Sequence, residues 1–263
     1  MTNTMHRMAC ASRTLAAFVL ASAGTLGTLR AEPIAGWPQP DGPNSPVTIT
    51  YSYSNLLDGS LLLLSAHEIR AATEESLALW ARYAPLHFIE VPDAGPPPSD
   101  IPYDGTGDPR IRIGQHPMPD IAHAFFPDDP SGLGGDVHLD TEIPWTLGAG
   151  RWNILEALVH ELGHALGLPH ELDRPAIMNP SFPQQLYGGL GSTFLFPADI
   201  ESIQAIYGSG AGRLEAINPT PEPGAIALVA TGLVSAAGTS LAQRLNRVGR
   251  LRRRQRSSER IRA

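Results

Sequence analysis

The sequence has no lysine and one cysteine; all nineteen basic residues among its 263 are arginines. The thiol, Cys10, precedes an apolar run near the N-terminus and would leave with that run if it is a secretory signal. The remainder then has no thiol and no disulfide framework. Also lacking are a phosphate-cradling glycine loop, a nucleophile elbow and any internal repeat. Gly132-Leu-Gly-Gly135 opens no helix and follows no strong strand. A net charge of −7 argues against a generally basic, nucleic-acid-binding protein. That average hides a segregation: residues 32–223 carry seven arginines against 25 acids, between ends of net +3 and +8. At 42% hydrophobic and 17% charged, the chain can build a core, and its length suits one domain with attachments.

Both ends read as sorting signals. Arg7 and Arg13, the run Leu15–Leu20 and the small residues after it have the layout of a signal peptide over residues 1–31. Cleavage after Ala31 or after Ala23 fits. Residues 32–45 read as a short linker and 209–223 as a Gly/Pro linker, followed by an apolar stretch, 225–242, and an arginine cluster. Eighteen residues give about 27 Å of helix, roughly one hydrocarbon core. Arginines beyond it would keep that end in the cytoplasm. Pro221-Glu-Pro223, the apolar helix and the arginines, in that order, resemble a PEP-CTERM sorting tail over 224–263. The resemblance implies processing by a membrane-bound exosortase; a permanent single-pass anchor is the alternative.

The middle reads as strands first and helices later, a compact α+β domain over residues 46–208. Val47–Tyr53 alternates with β-branched and aromatic residues, as a strand does. Ser65 with Glu68 forms a capping box for a helix to about Tyr83, and Pro85 stops it. Leu86–Val91 and Arg110–Ile113 read as further strands, with short extended pieces near 122–126 and 136–139. A long helix covers about Asn153–Leu166, and Pro197–Tyr207 forms a last amphipathic helix ended by Gly208.

Chemistry concentrates in HELGHALGLPH, His160 to His170. On a helix, residues i and i+4 share a face, so His160 and His164 can bind one metal ion. Glu161 beside them can take a proton from a metal-activated water. Gly167 lets the chain leave the helix through a left-handed turn, after which His170 supplies a third nitrogen. Three imidazoles and an open position describe a catalytic zinc site.

With these residues the sequence resembles the metzincin metallopeptidases, and among them the matrixins. Met178, eight residues past His170 in Ala176-Ile-Met-Asn-Pro180, matches the family's Met-turn in type and spacing. The likeness runs over roughly residues 46–208 and implies a twisted mixed sheet with a long active-site helix and a C-terminal helix. It further implies that Met178 supports the metal without binding it, and that Pro180 and Phe182 wall the pocket for the side chain after the cut. By the same likeness His123 and His138 would bind a second, structural zinc. Gly132, Gly134 and Asp136 would line one calcium site, and Asp140 another. The family's upstream His-x-Asp pair has no clear counterpart, with only His116 and Asp120 nearby, and Ile143 stands where a liganding acid is expected. His123 and His138 as ordinary loop residues, and solvated acidic loops without calcium, therefore stay open.

The expected activity is an exported zinc endopeptidase that hydrolyses peptide bonds in proteins, on the cell surface or released after tail processing. Its implied contacts are a protein substrate, an exosortase-type enzyme and the membrane through 225–242, with no nucleic acid. Without a cysteine in the mature chain, no thiol-dependent latency is expected. The rival is a non-catalytic surface or extracellular-matrix protein that keeps a structural metal site. Its sign would be loss of Glu161 or of a histidine, and none is lost.

Overall fold

The computed structural model describes residues 35–61, 63–104, 109–148, 152–180 and 185–217. The expected signal peptide, the sorting tail with its stretch 225–242, and Phe182 lie outside the described residues. No helix among the described residues is long and apolar enough to cross a membrane.

Six strands form one sheet: β1 (Val47–Tyr53), β2 (Leu86–Glu90), β3 (Ile111–His116), β4 (Ala122–Ala124), β5 (Val137–Asp140) and β6 (Arg213–Glu215). Their spatial order is β4-β5-β3-β1-β2-β6. Every neighbouring pair is parallel except β4 with β5, so the sheet is mixed and the α+β class holds. Parallel pairing needs a crossover, and α1 (Ala66–Ala81) supplies it between β1 and β2. β3 is buried along five consecutive residues, the pattern of a strand covered on both faces.

α1 starts as its capping box requires. Glu68 N–H donates to Ser65 Oγ (3.3 Å) and Ser65 N–H to Glu68 Oε2 (2.8 Å). Its inner face buries Ile69, Ala72, Leu77, Leu79 and Trp80. The indole N–H of fully buried Trp80 donates to Val159 O (3.0 Å), fastening α1 to α2 (Ile154–Ala165). Each such large apolar side chain contributes about 1.5–3 kcal/mol on burial, so this helix pair is a firm base. Asn153 caps α2 by accepting from Leu155 N–H (3.1 Å). α3 (Pro197–Tyr207) opens on proline, and Asp199 at its third position accepts Phe196 N–H (3.0 Å).

The folded unit runs past both boundaries read from the sequence. Trp37 N–H donates to Tyr207 Oη (3.0 Å) and its indole N–H to Ala165 O (3.0 Å), while β6 extends the sheet beside β2. Among the described residues, Trp37 and β6 therefore add packed structure within the stretches read as linkers. Nothing in their composition announces this: Trp37 is one aromatic among prolines, and β6 is three residues long.

Candidate active site

α2 is apolar and buried on most of its circumference, yet it carries His160, Glu161 and His164. Polar groups in such a helix are costly unless they have partners or a task. His160 and His164 lie one turn apart. Gly167, at φ +94°, takes the left-handed conformation; its N–H donates to His164 O (2.8 Å) and Leu168 N–H to Gly163 O (2.9 Å). That turn brings His170 back over the helix.

The three Nε2 atoms converge, His170 lying 3.2 Å from His160 and 3.0 Å from His164. Four nitrogens around one zinc, each about 2.05 Å away, are about 3.3 Å apart, so one such ion fits this spacing. The far side of each ring agrees. Nδ1 of His160 donates to Ile177 O and Nδ1 of His164 to Leu168 O, both at 2.7 Å. This leaves their Nε2 lone pairs facing inward. Burial pushes His160 down to about 4 and His164 to about 3, and lowers His170 as well, so the rings stay neutral. Converging lone pairs without a proton between them are a cation's donor set.

Glu161 is only 8% exposed, and burial, with Asp120 nearby, pushes its carboxyl up to about 8. It opens on a cavity of about 360 Å³ lined also by Asp120, Trp145, Trp152, Glu156 and Pro180. Met178, 1% exposed, packs against Gly163 of α2. A Cβ on Gly163 would come within 2.3 Å of its Sδ, so this approach requires glycine. The turn around Met178 hangs on Asp199, whose oxygens accept Ile177 N–H (2.9 Å) and Met178 N–H (3.2 Å). Burial raises the Asp199 carboxyl, and those backbone donors pull against that rise. The sequence showed Asp199 only as a helix-start acid.

A second donor group lies at the β4 edge of the sheet. Register places His123 directly opposite His138, and His116 on the neighbouring β3. Asp100 Oδ1 approaches His123 Nε2 (2.9 Å), His138 Nδ1 (3.2 Å) and His116 Nε2 (3.3 Å). Asp100 and His116 thus stand with the two histidines expected there, giving three imidazoles and one carboxylate, the donor chemistry of a closed tetrahedral zinc site. Burial pushes His138 down to about 4, which keeps the ring neutral, as a metal donor has to be. Of the two nearby candidates, His116 joins the group and Asp120 does not; Asp120 lines the catalytic cavity instead. Asp100 was missed, because it stands sixteen positions before His116, in the Pro/Gly-rich loop that precedes the strand read at Arg110–Ile113.

The first calcium expectation fits less well. Asp136 is buried, and its Oδ2 meets Tyr103 Oη (3.3 Å) and the Arg112 guanidinium (3.4 Å), where a divalent cation was expected. Gly132 and Gly134 border a separate cavity with Trp37, Arg110 and Asp129. Asp140 Oδ1 accepts Glu142 N–H (3.0 Å) and Met118 N–H (3.4 Å).

Comparison with known sequences decides the family. The profile described as Matrixin matches residues 43–208. The chain belongs to the matrixins. The matrixin domain is similar to interstitial collagenase of Bos taurus, 34% identical over 170 residues, which are 60% of this chain and 32% of that protein. Matrix metalloproteinase-20 of Homo sapiens is 34% identical over 163 residues, 61% of this chain and 31% of its own length. Neutrophil collagenase of Homo sapiens is 32% identical over 171 residues, 61% and 33%. The match thus spans about a third of each of these relatives. Matrixins use catalytic zinc and calcium, and the three-histidine group of this chain is a donor set that suits such a zinc.

Proposed function

We infer that this matrixin is a zinc-dependent endopeptidase that cuts proteins outside the cytoplasm. The observation that carries the reading is the convergence of three Nε2 lone pairs beside the buried carboxylate of Glu161, at the mouth of a cavity. His160, His164 and His170 would hold the zinc, which when bound would supply a Lewis acid for the scissile carbonyl and the attacking water. Glu161 is the general base: its desolvated carboxylate takes the water's proton and later hands it to the leaving amine. Ile177 O and Leu168 O fix the tautomer of His160 and His164 throughout. β4 is an edge strand, and its Ala122, with Ile121 just before it, lines the cavity, so an extended peptide can add along this edge as a strand. Pro180, which lines the cavity, walls the pocket for the side chain after the cut; the family likeness gives Phe182 the same part.

The second group, Asp100 with His116, His123 and His138, holds a structural zinc, since it leaves no open position. Calcium belongs to the Asp140 region. Support for export comes from the signal-like residues 1–31, and for exosortase processing and membrane contact from the PEP-CTERM-like pattern of 221–263.

The test is hydrolysis of casein by the zinc-loaded protein beside Glu161→Ala. The wild type should cleave, lose activity to a chelator and regain it with zinc, while Glu161→Ala should fall by at least 10²-fold. Equal cleavage by the two proteins would sink the mechanism. An inert wild type with its metal in place would favour the non-catalytic rival.

A further inference from the structure

A buried guanidinium is costly unless all its donors are matched. Arg112, on β3, is 4% exposed and is matched throughout. Its Nε and Nη2 donate to the two oxygens of Asp93 (2.9 and 3.0 Å). Nη2 also reaches Pro96 O (2.6 Å) and Ser54 Oγ (3.0 Å). Nη1 donates to Tyr103 Oη (2.9 Å) and faces Asp136 Oδ2 (3.4 Å). A Cβ on Gly95 would lie 2.2 Å from the guanidinium carbon, so only glycine lets the chain close over it.

The partners have a pattern. Asp93, Pro96 and Tyr103 bracket Asp100 within the irregular stretch between β2 and β3. Asp100 itself is exposed and belongs to no strand or helix, so its aim at the histidines depends on how the ends of its segment are held. The same guanidinium faces Asp136, where a divalent cation would meet like charge.

We propose that Arg112 is the positioning residue of the second metal group. It is an internal cation in the place expected for calcium beside Asp136, and by fastening both ends of the 93–103 segment it delivers Asp100 to His116, His123 and His138. The fork geometry matters as much as the charge, because a lysine ammonium could not serve Asp93, Pro96 and Tyr103 together. The inference concerns the second zinc and does not depend on peptide cleavage, which needs only the first.

The experiment measures zinc per full-length chain, by elemental mass spectrometry in calcium-free buffer, together with zinc transfer to a chromophoric chelator. Wild type should hold two zinc ions, unchanged by added calcium. Arg112→Met and Arg112→Lys should each release the second zinc roughly 10–100-fold faster, as loss of outer-shell support does, while keeping the first. Asp100→Asn should match them. If the Arg112 variants do not fold, Tyr103→Phe, which removes one hydroxyl at one end of the segment, should still speed release of the second zinc. Wild-type-like retention in Arg112→Met, or in Tyr103→Phe if the Arg112 variants do not fold, would overturn the proposal. So would a wild type holding a single zinc, or one whose second zinc needs calcium.

Discussion

Replacing Asp199 by alanine takes one carboxylate from three backbone amides at once. Ile177, Met178 and Phe196 N–H all donate to it, at 2.9, 3.2 and 3.0 Å, in a place where Asp199 is 1% exposed. A buried N–H left without an acceptor costs about 1–3 kcal/mol. Three of them, with some relaxation and water entry, put the loss at roughly 3–5 kcal/mol. For a domain of this size each kcal/mol moves Tm by about 2–4 °C, so the midpoint should fall by roughly 6–20 °C. Asp199→Asn keeps one acceptor oxygen and should lose less. The damage should reach the metal, because the carbonyl next to the freed amides, Ile177 O, is what holds His160 Nδ1 at 2.7 Å. Melting of the zinc-loaded protein by circular dichroism, paired with zinc transfer from the three-histidine group to a chelator, reads both effects. An Asp199→Ala protein that melts within about 2 °C of wild type and keeps that zinc as long would refute the reasoning.

Two further outcomes follow from the same region. Asp120 helps raise the Glu161 carboxyl, so Asp120→Asn should lower it; the base then stays ionised further down, and the acid limb of kcat/KM should shift to lower pH between two zinc-loaded proteins. Gly163→Ala places a methyl 2.3 Å from Met178 Sδ and 3.1 Å from Trp80, and overpacking of this kind should cost about 1–3 kcal/mol, read as a lower Tm.

What the sequence made legible was local. His160, Glu161, His164, Gly167 and His170 fall within one helix and one turn, and their spacing carries the geometry. The Ser65–Glu68 box, the Asn153 helix start and the Pro197 helix start are equally local and stand where read. What was not legible is held across the chain. Asp100 finds His138 over 38 residues, and Arg112 finds Ser54 over 58, through strand register that no short pattern encodes. Asp136 was read from Gly-Gly-Asp alone, without the guanidinium that the neighbouring strand brings to it.

The end of the metal helix is closed from two distant places: Trp37 holds Ala165 O, and Tyr207, which also takes Trp37 N–H, holds Leu166 O at 2.9 Å. These carbonyls immediately precede the turn to His170. A chain made from its N-terminus therefore exposes all three histidines before it has the residue that finishes their turn, and loop closure over 170 positions must come first. For the activity proposed above this orders events in time: the three-histidine turn is finished only after the last helix has been synthesised and docked.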